Sequence, residues 1–364
     1  MKTLNERVLD TLSELYRAYG YAKYKMSGFE EYDLYAANRD FLVSGQILTF
    51  TGADGRLMAL KPDITMSIIK DAENEKGRVD KYFYSENVYR VPSGAHEFRE
   101  IMQTGIECVG DIGDYDRAEA VFLACRSLSA VSEDFVVDIS HMGLVSGVLD
   151  EAGLDEAERA AAIEALKSKN RGALAAACAE LDDGMKNAVM GLVEVCGTLS
   201  DAIEAVESRG MNVNEKTAAA LLTLRRIADA AGESADKLRL DFSVVHDMNY
   251  YDGIVFAGYV LGIPESLLRG GEYGRLIRKM GREGSAVGFA VYTDLIDLID
   301  KGERGIDADI LLVCDSDAEP CAVADAVERL RALGRTVLVQ RSLAGRERCR
   351  KAMRLSGRRF EEIE

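Results

Sequence analysis

Alternate positions of the segment EFREIMQTGIECVGD place Arg99, Ile101, Gln103, Gly105 and Glu107 on one face of a strand, because successive side chains of an extended chain point to opposite sides. The preceding run KYFYSENVYR puts Tyr84, Glu86, Val88 and Arg90 on one face in the same way. A guanidinium, an amide and carboxylates on one sheet surface are too polar for a core. They suit a zwitterionic small molecule: carboxylate and amide for an ammonium group, guanidinium for a carboxylate or phosphate. The same pattern fits an exposed sheet face laced with ion pairs, and spacing alone leaves both open. The pair Tyr250-Tyr251 before the apolar run GIVFAGY, with His246 four residues ahead, is the next candidate. A histidine on a strand-like run is more often a satisfied structural group than a catalyst. Lys61-Pro62-Asp63-Ile64-Thr65 reads as a helix start in which Asp63 or Thr65 caps ITMSIIK. The glycines of RGGEYGRL make no phosphate cradle by spacing, and neither a Walker lysine nor GxGxxG is present.

The elements that must carry these residues follow from periodicity. Residues 4–19 form a helix with Leu4, Val8, Leu12, Leu15 and Tyr16 at helical spacing, ended by Gly20. Strand-like runs LVSGQILTFTG and RLMAL come next, then the helix ITMSIIKDAEN. KYFYSENVYR, VPSGAH and EFREIMQTGIECVGD read as strand, turn and strand, a long antiparallel hairpin. The helix AEAVFLACRSLSAV and the strand FVVDIS follow. From about 150 to 236 the chain is Ala-rich and helical, a helical insert in a strand-rich domain. Strands return with LRLDFSVV, GIVFAGYVLG and SAVGFAVY, joined by a glycine-rich turn at RGGEYG. The last part alternates strand and helix through ADILLVC, VADAVERLRALG and RTVLVQR, a small α/β module closed by a basic helix. In that helix Arg346, Arg350 and Arg354 share one face, read as solvated.

Composition bounds the function. The chain has 364 residues, 48% of them hydrophobic, long enough for two or three domains with a substantial core. Its formal net charge of −17 disfavours nucleic acid, whose binding rests on Lys and Arg neutralising phosphates. No stretch approaches a membrane span or a signal peptide. Seven scattered cysteines without a CxxC read as free thiols of a reducing compartment, so a cytoplasmic location is expected. Three isolated histidines, His96, His141 and His246, give no metal site.

The order of YGYAKYKMSGFEEYDLY, LKPDIT, YFYSENVYR…EFREIMQTGIECVGD, NYYDGIVFAGY, RGGEYGRL and SAVGFAVY resembles the signature segments of class II histidyl-tRNA synthetases over roughly residues 5–300. The resemblance implies an α+β fold, a six-to-seven-stranded antiparallel sheet flanked by helices, with a pocket for histidine and ATP. It divides the chain into a catalytic-type domain at 1–304 and a module at 305–364 similar to a truncated anticodon-binding domain. It also implies a homodimer. By the same resemblance, Asp63 and Thr65 surround the histidine α-amino group, with Asp63 where the family usually has Glu. Gln103 and Glu107 line the amino-acid pocket, Tyr250 and Tyr251 close its imidazole end, and Arg90 is the arginine of the second class II motif.

Departures from the family pattern remove catalysis rather than binding. His246 stands where the catalytic arginine precedes the tyrosine pair, and Leu295 where the ATP-clamping arginine of the third motif belongs. The first motif's proline is Ser27, VPSGAH lacks the FRxERP pattern, and Glu97 replaces a loop arginine. Adenylation needs preorganised positive charge at the α-phosphate, and losing one such donor typically lowers the rate by ~10²–10³. A histidine is shorter, has no bidentate fork and is largely neutral near pH 7. The branch with these features is similar to the regulatory subunit of short-form ATP phosphoribosyltransferase. That implies a histidine effector, a separate catalytic subunit within a hetero-oligomer, no cofactor, and no role for tRNA. An active divergent synthetase, or a paralogue that binds another amino acid or modifies a protein, are the alternatives.

Overall fold

The computed structural model describes residues 3–42, 46–73, 75–91, 97–245, 250–299, 308–315, 318–344, 346–356 and 359–363. Two units emerge, one of residues 8–299 and one of residues 300–364 with 1–7. The expected division at 304/305 falls outside the described residues.

The large unit begins in chain order with α1 (Leu4–Ala18), β1 (Ala22–Lys23), β2 (Phe29–Glu31), α2 (Tyr32–Ala37), β3 (Thr49–Thr51), β4 (Leu57–Leu60) and α3 (Thr65–Asp71). The hairpin follows as β5 (Val79–Arg90) and β6 (Arg99–Gly110), then α4 (Asp114–Ser129), β7 (Phe135–His141) and α5 (Met142–Glu151). The Ala-rich segment supplies α6 (Glu156–Lys167), α7 (Arg171–Ala177), α8 (Asp183–Glu194), β8 (Cys196–Thr198), α9 (Leu199–Ser208) and α10 (Glu215–Ala230). Its helices start on side-chain caps: Asp155 with Glu158 in a capping box, Asn170, Asp182, Thr198 and Asn214. Each cap satisfies amides that a helix start leaves unpaired. The unit ends with β9 (Leu238–Asp241), β10 (Ile254–Val260), β11 (Leu268–Glu272), α11 (Gly274–Lys279), β12 (Ser285–Tyr292) and a short 3-10 turn at Thr293–Leu298.

Nine of these strands form one sheet in the order β1-β5-β6-β12-β11-β10-β7-β9-β8. Its centre, from β5 to β7, is antiparallel throughout. The parallel pairs β1·β5 and β7·β9 widen it beyond the six or seven antiparallel strands expected. Strands β2, β4 and β3 make a separate small sheet. A core of buried Tyr35, Ile64, Met66, Ile68, Ile69 and Tyr84 packs α3 against the hairpin and so fixes the start of α3.

Two sequence readings are corrected. RGGEYG is not a turn: Leu268–Glu272 is the strand β11 in mid-sheet, paired on both sides. Its glycines are there because side chains have no room. A Cβ on Gly271 would lie 2.5 Å from Tyr251 Cδ1, and one on Gly270 2.5 Å from Phe289 Cβ. The terminal basic helix is a strand as well, entered through a 3-10 turn that carries Arg346. The second unit contains β13 (Ala308–Val313), α12 (Pro320–Arg331), β14 (Val337–Gln340), β15 (Cys349–Ser356) and β16 (Arg359–Ile363), in sheet order β14-β13-β15-β16. An interval of four returns to one face of a strand as well as of a helix, so the Arg350 and Arg354 spacing fits both. Pairing of β15 with β13 and β16 decides between them.

Among the described residues no helix is long and apolar enough to cross a membrane. The seven cysteines are free, five of them buried.

Candidate amino-acid site

One cavity of about 380 Å³ opens on the face of the large sheet, within the range of small-ligand sites. All seven residues expected to bind a ligand line it: Asp63, Thr65, Arg90, Gln103, Glu107, Tyr250 and Tyr251. Three separate stretches of chain therefore converge. The antiparallel pairing of β5 and β6 supplies Arg90, Gln103 and Glu107, the start of α3 supplies Asp63 and Thr65, and the segment before β10 supplies the tyrosines. Arg99, on the same strand face, is exposed and lies away from the cavity lining. His246 lies outside the described residues. Leu295 sits on the 3-10 turn after β12 and is not part of the lining.

Glu107 is the centre of the polar end. It is 3% exposed, with Thr65 Oγ1 donating to Oε1 at 2.6 Å and Tyr273 OH donating to Oε2. Among the described residues no cation pairs with it. Burial therefore dominates and pushes its carboxyl up to about 8, against the opposing pull of the Thr65 and Tyr273 hydroxyls. Asp63 both ties the helix start and lines the cavity. Its Oδ1 accepts from the Met66 amide at 2.9 Å, tying down the first turn of α3, while the side chain lines the cavity. Burial raises its carboxyl too, opposed by the Met66 amide and the charge of Arg90. Tyr250 and Tyr251 meet edge to face with ring centroids 4.8 Å apart, and Tyr273 stacks obliquely on Tyr250 at 5.4 Å. Burial holds the Tyr250 and Tyr273 phenols well above their ordinary range.

The other groups await a partner. Arg90 is 7% exposed and Gln103 6%. Among the described residues neither side chain has a hydrogen-bond or ion-pair partner, and Arg90 faces the Tyr292 ring at 5.8 Å. Buried polar groups are ordinarily satisfied, and this end of the cavity presents a guanidinium and an amide that are uncommitted among the described residues.

Sequence reasoning missed the floor and one wall. Glu107, Gly288, Gly271 and Val255 stand in one row across β6, β12, β11 and β10. A Cβ on Gly288 would lie 2.0 Å from Glu107 Oε2, so the carboxylate occupies space that a side chain would fill. Gly105 lies under Tyr84 OH, 2.9 Å from the place of its missing Cβ. Glycines inside the strand runs SAVGFAVY and QTGIE were the available signal, since strand glycine often marks close approach. Tyr84 and Tyr273 also line the cavity.

A hairpin wall, an antiparallel floor and a tyrosine-closed polar pocket define a class II aminoacyl-tRNA synthetase-like protein. The histidyl-tRNA synthetase family profile matches residues 2–296. Histidyl-tRNA synthetase from Nostoc shares the fold at a TM-score of 0.77 and 18% identity, covering 96% of this chain and 87% of that one. A Bacillus halodurans structure described as an ATP phosphoribosyltransferase regulatory subunit/histidyl-tRNA synthetase superposes at a TM-score of 0.79 and 24% identity, covering 94% and 89%. The ATP phosphoribosyltransferase regulatory subunit of Symbiobacterium thermophilum is 30% identical over 349 residues, 92% of this chain and 86% of that relative. The chain belongs to the ATP phosphoribosyltransferase regulatory subunit family.

Proposed function

We propose that the cavity binds free histidine and that its occupancy adjusts a separate short-form ATP phosphoribosyltransferase catalytic chain, as feedback on histidine biosynthesis. The chain is the non-catalytic regulatory subunit in that arrangement. The observation that carries the ligand reading is the pairing of opposites in one closed space. A half-buried carboxyl at Asp63 and a buried one at Glu107 suit cationic groups, while buried Arg90 and Gln103, unpartnered among the described residues, suit a carboxylate. A zwitterion satisfies both ends, and the mutually packed Tyr250, Tyr251 and Tyr273 rings offer an aromatic wall for a planar heterocycle. Catalysis has no support in the sequence: by the family resemblance two arginine positions carry His246 and Leu295, neither of which offers the fixed guanidinium that adenylation requires. Binding becomes regulation only where two states of the hetero-oligomer differ in histidine affinity.

Calorimetric titration of the full chain with a panel of amino acids tests the ligand. Histidine is expected to bind clearly more tightly than the rest, and another amino acid winning would overturn the assignment. Co-purification with a short-form catalytic chain tests the partner, and its repeated absence counts against the regulatory role. Histidine-dependent ATP–pyrophosphate exchange would favour an active synthetase instead.

A further inference from the structure

The cavity is not used up by the amino-acid groups. Its lining continues away from Glu107, over β11 and β10, to Arg269, Ala257 and Tyr259, and includes Ile163 and Lys167 of α6. Ile163 and Lys167 are four apart and so share a helix face. Strand register explains the floor: Ala290, Arg269, Ala257, Asp138 and Arg239 stand in one row across β12, β11, β10, β7 and β9. The two alanines leave open space on either side of the Arg269 side chain.

Charge in this end is unbalanced at two residues. Asp138 is occupied by Arg239, whose Nη2 lies 2.9 Å from Oδ1, and Asp241 by Lys169 at 2.5 Å. Among the described residues Arg269 has no carboxylate partner: its Nε donates to Ser266 Oγ at 2.6 Å, leaving the rest of the guanidinium fork uncommitted. Lys167 has only Glu164, 3.8 Å away and highly exposed. Two cations and the Tyr259 hydroxyl thus line this end of the cavity, and the nearby carboxylates Asp138 and Asp241 are already paired. The net charge of −17 does not oppose this, because charges beyond about 8 Å are largely screened at physiological ionic strength.

We propose that Arg269, Lys167 and Tyr259 form a second subsite, for the phosphate group of a small molecule, separate from the amino-acid end of the cavity. A guanidinium fork matches a tetrahedral oxyanion bidentately, a lysine adds a point charge, and a phenol donates one further hydrogen bond. A ligand held there ties α6 of the Ala-rich segment to the sheet. The inference goes beyond the histidine reading and stands whether or not histidine is the amino acid bound.

Calorimetry of the full chain with inorganic phosphate as probe, alone and with histidine at saturation, tests it. Phosphate is expected to bind in both cases, with Arg269→Gln and Lys167→Gln each weakening it about tenfold and Arg269→Lys restoring part of the loss. Both side chains are exposed, so both Gln variants keep the fold. No phosphate binding, binding unchanged in both Gln variants, or complete displacement of phosphate by histidine would overturn the subsite. The histidine titration of the unmodified chain fails or succeeds independently of these results. A sugar phosphate that binds more tightly than inorganic phosphate marks an organic phosphate as the ligand; equal affinity marks the free ion.

Discussion

Glu107 and Glu119 are both buried carboxylates on opposite faces of the same strand pair, and they are solved differently. Glu119, 5% exposed, receives Lys81 Nζ at 2.6 Å, Tyr21 OH at 2.9 Å and Tyr115 OH at 2.6 Å, with Cys108 against Tyr21 at 3.0 Å. Glu107, the residue before Cys108, is buried to the same degree but meets only hydroxyl groups. Its would-be countercharge, Arg90, lines the same cavity unpaired. Burial therefore does not separate a structural cluster from a binding site; completeness of pairing does. One face of the sheet is finished by the protein, and the other leaves groups open to the proposed solute.

The largest expected effect lies on the finished face. Glu119→Ala strands Lys81 in a partly buried site and should lower unfolding free energy by about 3 kcal/mol, read by urea denaturation, with little change in histidine affinity. If histidine affinity fell as much as stability, the two faces would not be independent. Next, Gly288→Ala drives a methyl group onto Glu107 and the Ile106 carbonyl. It should destabilise by about 2 kcal/mol and abolish measurable histidine binding in the same preparation.

Glu107→Gln separates the faces most cleanly. It should weaken histidine binding by about 1.5 kcal/mol, more than tenfold, because a charge-assisted partner is lost. Its effect on stability follows from linkage. The Glu107 carboxyl is raised from 4.5 to about 8, so the empty folded protein keeps a proton that the unfolded chain releases. This contribution is full below about 4.5 and declines as pH rises through about 8. Urea midpoints across that window should show the decline in the unmodified protein and lose it in Glu107→Gln. The smallest effect belongs to a third kind of charge cluster, the exposed Arg56 with Glu31 and Asp54 on the small sheet. Arg56→Ala should change stability by less than about 0.5 kcal/mol.

Much of this was legible in the sequence where one period dominates. The hairpin, the Ala-rich helices and the face shared by Gln103 and Glu107 follow from alternation and helical spacing, and the convergence of Asp63, Thr65 and the tyrosine pair came through family resemblance. What escaped had no pattern to carry it. Strand β11 is short and rich in glycine, so local propensity argues against a strand that only its neighbours stabilise. Arg350 and Arg354 fit either period, and the pairing partners that decide between them lie far away in sequence. Arg269 sat inside the segment read as a turn, which hid the direction of its side chain. Whether a buried charge is paired is a property of three dimensions, and no spacing rule could distinguish Glu107 from Glu119.

The glycines at 105, 271 and 288 give the site a one-sided mutational landscape. Each already has the smallest side chain available, so every substitution there adds atoms and none can enlarge the cavity. A shift toward a bulkier ligand must therefore come from the walls, at Tyr84, Tyr250 or Tyr273, where there is something to trim. The floor can only be made to exclude, which makes ligand size the easiest property of this protein to narrow and the hardest to widen.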